Sequence, residues 1–190
     1  EVVNPDDNDS VVKKGTPFEI IATPVQTKTL NDGMDTKWVA VDGINVFHAI
    51  EGTTDYVNDG EFTITDVSTN RFQGTVAGTL EEDKNYDWYM FYPYSTYVTT
   101  PANDSNGYTT VGSSASGAQV QIGNGSKSHL AGKNIPLWGK ITGVSSTAMP
   151  AVSVNQACSF IEFNVTNNSE SYLTVNEITF TGTEDIVGTY

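Results

Sequence analysis

The chain has 190 residues, with 23 Asp and Glu against nine Lys and Arg, for a formal net charge of −14. So acidic a surface repels phosphate backbones and anionic headgroups, which disfavours nucleic acid and a membrane surface as partners, and with no transmembrane run in the sequence no direct membrane insertion is expected. The length suits one large domain burying about 70% of its unfolded surface without a staple, and the single cysteine, Cys158, forbids an intrachain disulfide.

In chain order, Glu1 to Gly15 is polar, acidic and aperiodic, and reads as a flexible leader. Its acidic cluster lacks the central Gly and distal Glu of a calcium-binding loop. Asp9-Ser10-Val11 has the form of a short O-glycosylation sequon. Phe18, Ile20 and Ala22 alternate as a first strand, running to Val25, and Asn31-Asp32-Gly33 is a turn signal. Val39 and Val41 start the next strand. Beyond Asp42-Gly43, Ile44, Val46 and His48 share one face while Phe47 takes the other, which predicts a strand covered on both sides or bent at a bulge. Phe62 with Ile64, and Phe72 with Val76, give two short strands, and Glu81 to Asn85 forms a charged turn.

The run from Tyr86 to Tyr97 is the densest aromatic patch. Tyr86, Trp88, Met90 and Tyr92 fall on one face, Tyr89 and Phe91 on the other, and Pro93 ends regular pairing. Residues 99–117 read as a long loop, followed by weak strand signals at Val120 and Ile122. Leu137 to Ile141 resumes the sheet, and Val152 and Val154 lead into the last block. There Ile161, Phe163 and Val165 share a face, Asn167-Asn168-Ser169 supplies a turn, Leu173 and Val175 restart the pattern, and the phase slip to Ile178 and Phe180 predicts a bulge near Asn176-Glu177. No helical period persists over three turns. Many short strands separated by Gly, Asn, Asp and Pro predict an all-β, two-sheet sandwich of immunoglobulin-like type.

Catalytic signatures are missing: the sequence has no phosphate loop, zinc-type Cys/His set or nucleophile elbow. His48 and His129 lie in no recognisable nucleophile motif, and Cys158 reads as a small buried hydrophobe. Asp55, Asp59, Glu61 and Asp66 are close in sequence, as chance dictates in so acidic a chain. The expectation is therefore a non-enzyme with no cofactor and no metal. Aromatic rings stack on the apolar faces of sugars, so Trp88, Tyr89, Tyr92, Tyr94 and Tyr97 are candidate glycan contacts, although inward alternation of Trp88 and Met90 favours core packing.

Several segments, in order, resemble a known pattern: a strand followed by Thr27-Lys28-Thr29; Trp38 leading into Gly43-Ile44-Asn45-Val46-Phe47; an aromatic strand entering Phe91-Tyr92-Pro93-Tyr94; Leu137-Trp138-Gly139-Lys140; and Phe160 to Val165 with its following hairpin. Together they are similar to the N-terminal domain of the fimbrillin-like proteins, the type V pilus subunits and lipid-anchored surface proteins of Bacteroidetes. The resemblance covers nearly everything after Gly15 and implies a transthyretin-like sandwich over residues 16–190, with the second sandwich domain of the family beyond this chain. It also implies an exported, surface-exposed lipoprotein or fimbrial component, with other fimbrial subunits or a host or bacterial surface receptor as partners and glycans as an alternative ligand. Pilus-forming relatives are cut behind the first strand, which leaves so that a neighbour's strand fills the groove. Here that strand is Phe18 to Val25, and Lys28 and Lys37 are the candidate processing positions. The relatives' protease is typically Arg-specific, so stalk subunit, tip or anchor subunit and unprocessed adhesin all stay open.

Overall fold

The computed structural model describes residues 12–25, 37–103, 109–110, 136–157, 163, 165–179 and 181–182. The acidic leader up to residue 11, Lys28, Val120, Ile122, Cys158, Ile161 and Phe180 lie outside the described residues. Among those described there is no helix. Seven strands form one sheet: β1 (Pro17–Pro24), β2 (Gly43–Ile50), β3 (Val57–Asp66), β4 (Arg71–Thr75), β5 (Asn85–Tyr92), β8 (Leu137–Ser145) and β9 (Ala151–Gln156). A separate two-stranded ladder joins β6 (Ala102–Asn103) to β7 (Thr109–Thr110), inside the segment expected to be a plain loop.

The sheet order is β1-β4-β3-β2-β5-β8-β9, and it closes on itself, so the fold is a barrel. This corrects the two-sheet, transthyretin-like or immunoglobulin-like sandwich expected from the sequence. β1 is what closes it: antiparallel to β4 from Pro17↔Thr75 to Ile21↔Arg71, and parallel to β9 from Ile21↔Ala151 to Pro24↔Val154. A sandwich would leave this strand on an edge; here its N-terminal half pairs with β4 and its C-terminal half with β9.

Period-2 alternation places the inward side chains as read. Phe18, Ile20, Ala22, Ile44, Val46, Phe62, Ile64, Phe72, Val76, Tyr86, Trp88, Met90, Tyr92, Leu137, Val152 and Val154 share one buried cluster. A smaller cluster of Phe47, Tyr89, Phe91 and Val98 lies on the outer face, with Tyr56 packed against it. β2 is therefore buried on both faces, and its partner β3 is bulged opposite it, since Val46 pairs with Gly60 but Phe47 with Asn58. The residue left over by that shift is Asp59. Gly60 sits at φ +80°, where only glycine is unstrained, and its N–H bonds Asn58 Oδ1 at 2.8 Å.

Val39 and Val41 begin no strand. They occupy a turn, 54% and 90% exposed, that precedes β2. The last block also departs from expectation. Residues 165–179 form no strand, so neither the expected hairpin nor a bulge at Asn176-Glu177 exists, although the turn is made: Asn167 Oδ1 accepts the Ser169 N–H at 2.8 Å. Phe163, Val165, Leu173, Val175 and Ile178 are all largely exposed. Their alternation encodes a capacity to pair, and the closed barrel offers them no edge.

Close backbone approach fixes one glycine. A Cβ at Gly139 would lie 2.7 Å from the Ser153 carbonyl oxygen and 2.7 Å from Val152 Cγ1. Gly139→Ala is expected to cost about 2–3 kcal/mol by overpacking and to weaken the short β8–β9 ladder. Urea unfolding followed by circular dichroism checks this, and a loss below about 0.5 kcal/mol would contradict the close β8–β9 contact.

Candidate functional site

The aromatic run folds as β5 and the segment leaving it, and the sheet pleat sends its rings in different directions. Trp88 points inward, 1% exposed, stacked on Phe18 at 4.9 Å and 10° between planes. Its indole N–H has no hydrogen-bond partner among the described residues. Tyr92 is also interior, and its hydroxyl donates to Asp42 Oδ1 at 3.0 Å. Tyr89 belongs to the outer cluster, edge-on to Tyr56 at 5.3 Å with the Lys140 ammonium 4.8 Å from its ring centre. Tyr94 is half-buried, its N–H bonded to the Gly43 carbonyl. Of the five candidate contacts only Tyr97, 74% exposed, stands mostly in solvent. The run is thus no single exposed platform.

Sequence reading missed Trp138 as a surface ring. It is 48% exposed and sits in an outer-face row with Asn45, Phe91 and Asn155, set by the ladder register. The signal was available: Leu137 and Gly139 point inward, so strict alternation sends Trp138 out.

Burial and hydrogen bonding shift several groups. Burial, then the Asp42 carboxylate charge and its hydrogen bond, pushes Tyr92 well above the ordinary tyrosine value of 10.0. Burial also raises Tyr89, while its hydrogen bond to Lys140 raises that ammonium. Asp66 is lowered, chiefly by the Ser68 hydroxyl and then Thr69. For Tyr92 the folded value lies above the unfolded one, so the stability it carries is complete below about pH 10 and is lost as pH rises, because the unfolded chain releases the proton first. Tyr92→Phe is expected to cost about 1 kcal/mol at neutral pH and to flatten the alkaline fall in urea midpoint. An alkaline fall as steep as the parent's would show that Tyr92 does not carry it.

The carboxylates close in sequence do not converge. Asp59 turns inward, where Oδ2 lies 2.6 Å from His48 Nδ1 and Oδ1 accepts the Ala77 N–H at 2.8 Å. Glu61 and Asp55 are exposed, and Asp66 holds its own turn through Ser68. Among the described residues no group of His, Cys, Asp and Glu is arranged to hold a metal ion.

Of the candidate processing positions, Lys37 is exposed, immediately before the buried Trp38. The strand it would release, β1, is pinned by inward Phe18, Ile20 and Ala22, by its two ladders, and by Arg71 Nη1 to Glu19 Oε2 at 3.0 Å on the surface. Removing it would leave a groove edged by β4 and β9, with vacated apolar sockets on its floor. No family model matches the sequence, and no curated protein and no solved structure resembles it at a significant level.

Proposed function

We propose that this is a non-catalytic surface protein of the fimbrillin type, exported and held at the cell surface or in a fimbria, that assembles with other subunits by exchange of its first strand. The observation that supports it is the position of β1. One strand closes the barrel, and the other strands stay joined in a continuous ladder from β4 to β9 without it. A groove bounded by two unpaired edges, with sockets spaced at i, i+2 and i+4, takes an extended segment by backbone pairing and alternate side chains. Residues 165–179 form an exposed segment with alternating apolar positions.

Deleting residues 2–26 tests the reading. The expected result is a chain that forms oligomers or captures an added peptide spanning Phe18 to Val25, read by size-exclusion chromatography with mass measurement. A folded monomer indistinguishable from the parent removes strand exchange.

A second reading, a glycan-binding surface, draws on the exposure of Tyr97 and Trp138 rather than on Trp88 or Tyr92. A glycan array in which Tyr97→Ala and Trp138→Ala bind as well as the parent, or in which nothing binds, removes it.

A further inference from the structure

The backbone of β1 can be followed group by group. Odd positions face β9: Ile21 N–H bonds the Pro150 carbonyl at 2.9 Å and Val25 N–H the Val154 carbonyl at 2.8 Å. Even positions face β4, and there the ladder runs out early. Arg71, the first residue of β4, pairs with Ile21, and the chain beyond it is the turn at residues 67–70. Ala22 N–H still reaches the Asn70 carbonyl at 3.0 Å, but Asn70 N–H turns back to Val67. The next even residue is Pro24, which has no N–H to lose. That leaves the buried Ala22 carbonyl without a strand partner, and the indole N–H of Trp38 supplies the bond at 2.6 Å.

Trp38 reaches Ala22 from a turn anchored elsewhere. Asp42 Oδ2 accepts the Val39 N–H at 2.7 Å, Asp42 Oδ1 accepts the Tyr92 hydroxyl, and the Asp42 carbonyl accepts the Ile64 N–H at 3.0 Å. These bonds fix the turn to β3 and β5. The Trp38 ring, 4% exposed, packs edge-on against Phe72 at 5.1 Å and Tyr92 at 5.2 Å. This side chain therefore ties the closing strand to Phe72 of its ladder neighbour β4 and, through Tyr92 and the Asp42 turn, to β5 and β3, which do not pair with it.

We propose that Trp38 is a latch on β1: the strand leaves the barrel only when this indole withdraws, and its withdrawal frees the C-terminal half of β1 while β2, β3, β5 and β8 stay folded. The latch sits beside Lys37 and explains how a cut between β1 and Trp38 leaves the strand seated until another strand displaces it. Its biological meaning, control of strand release, rests on the strand-exchange reading above; its physical content does not.

The test is hydrogen exchange by NMR on the full chain across a series of low urea concentrations. The Trp38 indole proton and the amides of Ala22 and Val25 are expected to exchange through one shared opening, lower in free energy and less sensitive to urea than the opening that exposes β5 amides. In Trp38→Phe, which keeps an aromatic ring but orphans the Ala22 carbonyl, the population of that opening is expected to rise about tenfold or more. An indole that exchanges while β1 stays protected, a β1 that opens while the indole stays protected, exchange of all of these only by global unfolding, or an unchanged opening in Trp38→Phe would each overturn the latch. If the variant does not fold, the parent measurement decides alone. Oligomer formation is not part of the readout, so a shared opening in a protein that never exchanges strands keeps the latch and removes the assembly reading, and the converse result removes only the latch.

Discussion

Trp88→Ala is expected to destabilise the barrel by about 3–5 kcal/mol, the cost of emptying a large, fully buried site. Trp88 stacks on Phe18 of the closing strand and lies 5.2 Å from the His48 ring, so the void would open between β1, β2 and β5. Collapse to fill it is limited, because all these strands are held in ladders. Trp88→Phe is expected to cost far less, about 1–2 kcal/mol. It keeps a ring against Phe18, and the indole N–H it deletes has no partner among the described residues to orphan. The contrast separates packing from sugar contact. A buried core ring gives a large stability loss for alanine, whereas a surface glycan contact would lose binding at unchanged urea midpoint.

Asp59→Ala is expected to cost about 2–5 kcal/mol, because it strips acceptors from two donors at once. Ala77 N–H loses Oδ1, and His48, 3% exposed, loses the group that orients its Nδ1. The effect should spread to the 76–80 segment, whose Leu80 is buried and bonded through its N–H to the Val12 carbonyl. Asp59→Asn keeps one carbonyl oxygen and should lose about half as much. Equilibrium unfolding of the three proteins is the measurement; a loss under about 1 kcal/mol for the alanine variant would mean that water replaces the carboxylate without penalty.

These two residues also show what could and could not be read from the sequence. Trp88 was legible as an inward residue because Tyr86, Met90 and Tyr92 keep its phase, and the same rule placed Phe18, Ile20 and Ala22, the inward residues of β2, and Val152 and Val154. Asp59 was not legible. It faces inward only because the bulge opposite Val46 and Phe47 adds a residue to β3, and such an insertion is defined by its partner strand, not by local composition. Closure was hidden for a similar reason. Alternation reports one buried face per strand, equally in a barrel and a sandwich, and the deciding contact is the short parallel pairing of Ile21 to Pro24 with residues far along the chain. Val39 and Val41 carry strand-like chemistry but are committed to the turn that seats Trp38. Residues 165–179 carry a strand pattern with no strand partner among the described residues, which sequence periodicity cannot distinguish from one that is paired.

In the function proposed above, the first strand is a removable part whose loss leads to assembly. Limited proteolysis of the folded protein with Lys- and Arg-specific proteases, followed by intact mass and size-exclusion chromatography, tests it most directly. Cleavage at Lys28 or Lys37 is expected, with retention of the cut strand until a competing Phe18–Val25 segment is added, and then its loss with the appearance of oligomers. A cut protein that loses β1 and stays a folded monomer, or a chain that resists cleavage at both lysines, would contradict it.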